Sequence, residues 1–249
     1  MTLAQTLILR GSRVLLGRWK TGAFAGRVTG PLGEYPGAPS PAAAATQAVA
    51  ACADIRLDER LLSCRALFKF VELDSTHTAA ASLGTAYEEF QFIYDADLAN
   101  TLRDAYPELG IPELGEPYET DIYIPHWHCV DALPFPEMPE DDVEWYNRVI
   151  VDGEKLTGTF NFDGETLISH ELVTVAEIND DIASTSASSA FKKINCFDNG
   201  LMLEALAAEL AKRQVQAQVQ TSGVSFRDCA LLEDIIRSLS QCVDPEHDP

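Results

Sequence analysis

The sequence predicts a mixed α/β domain over residues 1–175 followed by a mainly helical extension, and three observations carry that reading. Short runs in which apolar and polar residues alternate recur through the first 175 positions, the period of a half-buried strand. An alanine-rich run at 41–53 interrupts them with strong helix propensity. Beyond position 198 the apolar spacing changes to the three-and-four pattern of amphipathic helices. At 249 residues and 46% hydrophobic, the chain can bury a core of one ordinary domain and still carry a substantial extension.

Taken in order, Thr6-Leu7-Ile8-Leu9, Arg10-Gly11-Ser12 and Arg13-Val14-Leu15-Leu16-Gly17 read as strand, glycine turn and strand. Gly22, Gly26, Gly30, Gly33 and Gly37, with Pro31, Pro36 and Pro39, make a long loop, and Pro41 suits the first turn of the helix that follows. Residues 65–71 and 89–94 alternate as strands on either side of a polar Ser/Thr/Ala stretch. Residues 100–120 contain Pro107-Glu108-Leu109-Gly110 and the near copy Pro112-Glu113-Leu114-Gly115, a Pro and Gly density that predicts an exposed loop insertion. A strand at 122–130 leads to a short helix starting near Pro139, and strands at 155–162 and 166–175 meet at the tight-turn dipeptide Asp163-Gly164. Residues 176–197 read as a linker, rich in Ser and Ala at 183–190. In the 198–249 extension, Asp198 can cap a helix with Leu203, Leu206, Ala207 and Leu210 on one stripe, and Ser225 a second with Leu232, Ile235, Ile236 and Leu239. Between them Val215, Ala217 and Val219 alternate with Gln, a pattern that fits a strand or continued helix equally.

Charge and cysteine usage narrow the function classes. A formal net charge of -21 opposes an electrostatic grip on nucleic acid, whose affinity comes largely from Lys and Arg, and favours a basic partner. No apolar run approaches the ~20 residues of a membrane helix, so the expected location is cytoplasmic or nuclear. Residues 1–33 hold Arg10, Arg13, Arg18, Lys20 and Arg27 and no acid, which keeps an organellar, for instance mitochondrial, transit reading open beside the hairpin reading. Six cysteines are scattered without a CxxC spacing and read as reduced thiols. His126, His128 and Cys129 offer zinc ligands without a second pair at a recognised spacing, and no metal is expected there.

The order of Arg13-Val14-Leu15-Leu16-Gly17, Gly26-Arg27, glycine-rich loop, helix, Phe68-Lys69-Phe70, Leu133-Pro134-Phe135 through Met138, Asp141-Asp142, Trp145 and Gly158-Thr159-Phe160-Asn161-Phe162 resembles the Nudix hydrolases that act on oxidised purine nucleoside triphosphates such as 8-oxo-dGTP. The similarity spans roughly residues 4–175 and implies an α/β/α sandwich around a mixed sheet. The family's chemistry sits in a signature of Gly, five residues, Glu, seven residues, then Arg-Glu-Φ-x-Glu-Glu-x-Gly-Φ. With its glycine on Gly33, the first glutamate falls on Pro39, the arginine on Gln47, the three helix glutamates on Ala48, Ala51 and Cys52, and the late glycine on Asp54. Only Gly33, Val49 and Ile55 fit. A further family carboxylate falls on Ile122.

Mg²⁺ is a hard ion that needs carboxylate or phosphate oxygens, which alanine and an uncharged thiol do not supply. No catalytic residue is therefore assigned, and no cofactor is expected unless hydrolysis survives on substitute carboxylates such as Glu34, Glu88, Glu89, Glu119 and Asp121, which would call for Mg²⁺. The base-recognition side is better kept. Asp141 and Asp142 coincide with an aspartate pair that the family uses against the purine edge, Thr29 stands for its asparagine, Pro139 for its stacking tryptophan, and Phe68 matches an aromatic lining position. Against that stands a simpler role for the two aspartates as caps of the helix leading to Trp145.

The reading expected first is a non-catalytic Nudix-fold protein acting as a structural or interaction subunit, with a protein partner on the C-terminal helices or the 100–120 insertion. The alternatives are a sensor that binds a purine nucleotide without cleaving it, and a divergent nucleoside triphosphate pyrophosphohydrolase. The extension is expected to dock either on its own sheet or on another protein.

Overall fold

The computed structural model describes residues 1–35, 37–73 and 83–178, with 206–209, 211, 233 and 235–237 of the extension. β1 (Thr2–Arg10) and β2 (Arg13–Trp19) form the expected antiparallel hairpin, with Ile8 opposite Leu15 and Leu9 opposite Val14. Gly11 takes a φ of 57° in the turn between them, a left-handed value that glycine adopts without steric cost.

The glycine-rich loop contains two short strands that its sequence does not announce, β3 (Val28–Thr29) on β2 and β4 (Leu32–Tyr35) on β1. α1 (Pro41–Ala53) begins where Ser40 Oγ accepts the Ala43 N–H at 2.9 Å, and it ends on Asp54, held at φ 55° with its N–H on Ala50. Its small side chains let it lie directly on β1 and β4. A Cβ at Gly33 would stand 2.7 Å from the Ala44 carbonyl oxygen and 2.9 Å from Ala48 Cβ, so this approach needs both glycine and alanine.

β5 (Leu62–Leu73) and β6 (Leu83–Asp95) pair antiparallel, β6 runs parallel to β1, and β5 runs parallel to β8 (Leu156–Asp163). β7 (Tyr123–Cys129) pairs with β2, and β9 (Thr166–Thr174) pairs with β8 across the turn at Gly164. The order is β3-β2-β1-β6-β5-β8-β9, with β4 on β1 and β7 on β2 off that path, which is the mixed sheet that the family resemblance implies.

One expectation is corrected by the structure. The 100–120 segment is not an exposed loop throughout. Asp95 caps α2 (Ala96–Ala105), accepting the N–H groups of Asp97 and Leu98, and Leu102 on this helix is fully buried. A single 3₁₀ turn follows at Pro107–Leu109, and Leu109, Ile111 and Leu114 all join the core. The helix near Pro139 is α3 (Asp142–Ile150), whose Trp145, Tyr146, Val149 and Ile150 are buried.

Among the described parts of the extension, 206–209 and 235–237 are helical. Leu206 and Ile235 have 0% and 1% exposure within the same core cluster as the sheet, whereas Ala207, expected on the apolar stripe, is exposed. Arg237 pairs with Glu177 at 3.5 Å. The 183–190 stretch, Leu203, Leu210, Leu232, Leu239 and the Val215 to Val219 alternation lie outside the described residues. No helix among the described residues is long and apolar enough to cross a membrane.

Candidate functional site

The alternation of β6 sends Tyr87, Glu89 and Gln91 to one face, and the parallel register of β6 with β1 sets Gln91 beside Gln5. β5 adds Phe70, in register with Tyr87 and stacked on it with ring centroids 4.9 Å apart. α3 begins over this polar stripe, so Pro139, Asp141 and Asp142 close a shallow open cleft whose other side is made by Thr29, Leu32 and Phe24.

Three carboxyl groups meet there with 6% exposure or less: Glu89, Asp141 and Asp142. Asp141 stands at the N-cap position of α3 without a side-chain bond to the helix backbone, and its Oδ2 accepts the Trp145 indole N–H at 3.2 Å. Glu89 Oε1 accepts from Gln91 Nε2 at 2.7 Å. Asp142 Oδ2 and Gln5 Oε1 have no hydrogen-bond partner among the described residues, although both side chains are buried and line the cleft. Leaving such groups unpaired costs roughly 1–3 kcal/mol each.

Burial decides the protonation. It pushes Asp141 up to about 6 against the opposing Trp145 hydrogen bond. It pushes Glu89 up to about 8, with the charge of Asp141 adding to it. Asp142 is raised well above the usual carboxylate range by burial, then by Asp141 and Glu89. Near neutral pH the cluster therefore holds protons, and one acid can donate while its neighbour accepts.

Of the residues singled out from sequence, the structure brings Asp141, Asp142 and Thr29 together around this cleft and leaves Phe68 out of it. Phe68 shares a strand face with Phe70, but its ring is fully buried under Trp145 and Phe160, at centroid distances of 5.3 and 5.2 Å. Thr29 Oγ1 accepts from Gln5 Nε2 and lies 3.4 Å from the Tyr146 hydroxyl, while its carbonyl accepts from Tyr123 Oη at 2.6 Å. Gln5, Tyr87 and the cleft-lining position of Glu89 were not singled out. The available signal was polar residues at inward positions of strands, which only the β1·β6 register turns into a site.

The second half of the expected site is filled rather than rebuilt. Ala48 and Cys52 are buried, Ala51 faces solvent, and the Cys52 thiol is pushed up to about 11 by burial, partly offset by the Leu32 backbone. A neutral thiol and two methyl groups do not fit Mg²⁺. Glu34 and Asp121 are exposed, Glu119 pairs with Lys20 at 2.6 Å, and Glu89 belongs to the cleft. Among the described residues no group of three His, Cys, Asp or Glu is placed to hold a metal ion. His126 and His128 do share one face of β7, their rings 4.9 Å apart.

Comparison with known proteins agrees with this architecture. No family model matches the chain. It is similar to the oxidised purine nucleoside triphosphate hydrolase of Danio rerio, with 32% identity over 65 residues that make up 26% of this chain; the match spans 41% of that relative's length. The solved structure of the mutator protein MutT from Bacillus halodurans superposes with a TM-score of 0.52 at 15% identity, over 69% of this chain and 96% of that one. A Nudix hydrolase structure from Nitrosomonas europaea aligns over 65% of this chain and 78% of its own, at 12% identity and a TM-score of 0.42. The chain thus has the Nudix fold and is similar to the oxidised-purine type.

Proposed function

We propose that this chain binds a purine base in the cleft above β6 and does not hydrolyse the phosphates attached to it. One observation carries the reading: Asp142 Oδ2 and Gln5 Oε1, buried and unpaired among the described residues, both line an open cleft beside protonatable Asp141 and Glu89. A purine edge offers N–H donors and ring or carbonyl acceptors within a few ångströms, the complement of mixed acid and carboxylate groups. The Danio rerio relative is named for hydrolysis of oxidised purine nucleoside triphosphates, which points to the ligand class. The misfit of Ala48, Ala51 and Cys52 to a hard metal ion supports binding without turnover, since loss of a general base alone typically costs about 10²–10⁴-fold and loss of the metal adds to that.

Calorimetric titration of the full chain with guanosine, adenosine and 8-oxoguanosine, repeated on Asp142→Asn, tests it. Saturable heat with one purine, lost in the variant, is expected. No heat from any of them sinks the reading.

The interaction-subunit reading rests on a different face. β9 ends the sheet among the described residues, and Ile168 and Val173, 55% and 48% exposed, are the apolar points of an otherwise largely polar edge strand. Sedimentation of the full chain and of Ile168→Lys separates an associating edge from a solitary one: a shift to monomer in the variant supports it, and a monomeric parent chain contradicts it.

A further inference from the structure

We infer that His126 and His128 form a two-imidazole site for a divalent transition-metal ion of the Cu²⁺, Ni²⁺ and Zn²⁺ group, on strand β7 and apart from the cleft. Neither histidine lines the cleft, so the inference stands independently of the base-binding reading.

The strand period sends side chains two residues apart to the same face. β7 therefore carries Ile124, His126 and His128 on one face and Trp127 and Cys129 on the other. Among the described residues β7 pairs with β2 and with no other strand, so its outer edge is open. His126 is exposed and His128 half-buried. Their partners across the ladder are Leu16 and Val14, fully buried apolar side chains that offer the rings no hydrogen-bonding atom. Among the described residues neither imidazole has a hydrogen bond or ion pair, and the contact each ring makes is with the other.

The spacing of the rings matches a chelate. With a metal–nitrogen bond of ~2.0–2.1 Å, an imidazole centroid lies about 3.2 Å from the ion, so two ligating rings stand roughly 4.5 Å apart at a right angle and about 5.2 Å apart at the tetrahedral angle. The observed separation is 4.9 Å, between the two, with the ring planes 76° apart. Both rings can thus ligate one ion with the β7 backbone where it stands.

The surroundings agree with a cation there. Neutral imidazole is the ligand form, and burial together with His126 lowers the proton affinity of His128, against the opposing charge of Glu137. Arg18, the cation across the ladder from Ile124, is engaged by Glu137 rather than left facing the rings alone. Imidazole nitrogens suit the borderline ions from Ni²⁺ to Zn²⁺ and not Mg²⁺, which prefers oxygen. Two protein ligands leave the remaining coordination positions to water.

Calorimetric titration of the full chain with NiCl₂ and ZnCl₂ at pH 7, repeated on His126→Gln, His128→Gln and Cys129→Ser, tests the inference. Both ions are expected to bind the parent chain, and either histidine substitution to weaken them at least tenfold, because the second imidazole acts at high effective concentration. Cys129→Ser, on the other face of β7, is expected to leave the affinity within about threefold. Melting curves establish that each variant is folded. Nitrogen-15 spectra of the histidine rings during the ZnCl₂ titration give a second readout: the resonances of both rings are expected to move together and saturate at the same added metal. Absence of binding overturns the inference, as does binding that survives both histidine substitutions in folded protein. Movement of one ring alone, or affinity lost with Cys129→Ser, overturns the two-imidazole site in favour of a different ligand set.

Discussion

Glu89→Gln is expected to stabilise the protein, and increasingly so as pH rises from 5 to 8. In the folded chain Glu89 holds its proton up to about 8, against an ordinary value of 4.5. The folded state therefore binds more protons than the unfolded state between those limits, and stability falls as pH rises through that window. By pH 7 the unfolded chain has gained the full ionisation free energy over about 2.5 pH units that the folded chain forgoes, which at 1.36 kcal/mol per unit is about 3 kcal/mol. Glutamine is neutral throughout and retains the oxygen that accepts from Gln91 Nε2, so the variant escapes the penalty without losing the hydrogen bond. For a chain of this size about 2–4 °C accompanies each kcal/mol, giving a rise of roughly 6–12 °C at pH 7. Urea denaturation of both proteins at pH 5, 6, 7 and 8 reads the effect directly: the gap is expected to be small at pH 5 and to widen to neutrality. A gap that stays constant with pH, or a parent chain whose own stability climbs over this range, would refute the placement of a protonated carboxyl group in the cleft. A destabilising acid kept at this position is what a binding site looks like when stability and function conflict.

Three other outcomes follow from the same packing. Phe68→Ala is expected to cost about 3–5 kcal/mol in denaturant unfolding, as for a fully buried phenylalanine, with affinity for purines changed far less than by Asp142→Asn; the reverse ordering would return Phe68 to the cleft wall. Ala48→Glu, which restores one family glutamate, sets a carboxylate where Ala48 Cβ already lies against Gly33; it is expected to lower the melting temperature and yield no Mg²⁺-dependent phosphate release, and activity gained by this single change would show that the platform is intact. Truncation after Val175 removes the buried Leu206 and Ile235, a gross loss of roughly 3–6 kcal/mol at about 1.5–3 kcal/mol per side chain, so a melting temperature equal to that of the full chain would contradict their burial.

Much of the fold was legible because its signals are local. The hairpin, the alternating strands and α1 follow from side-chain period, a glycine turn and the helix propensity of the alanine run that Pro41 opens, all of which act within a few residues. α2 was not legible for a physical reason. β6 runs straight into it through Asp95, without a break in the chain, and the Pro and Gly cluster beyond Ala105 masks the buried Leu102, Leu109, Ile111 and Leu114. Of the cleft, Asp141, Asp142 and Thr29 were visible through resemblance to the oxidised-purine hydrolases. Gln5 was not, and Glu89 was read only as a substitute carboxylate for metal, because each is an ordinary polar residue in a strand until β1 and β6 align in parallel. Phe68 illustrates the opposite error: sequence places it on the cleft-facing side of β5, but Trp145 descends from α3 to cover it, and that contact is long-range.

The most direct test of binding without hydrolysis is a single titration of the full chain with dGTP and 8-oxo-dGTP, with Mg²⁺ present and released phosphate and pyrophosphate followed in the same cell. A saturable heat of binding with intact nucleotide at the end is the expected result. Cleavage at a rate above the uncatalysed background, abolished by a substitution within residues 1–175, would contradict it.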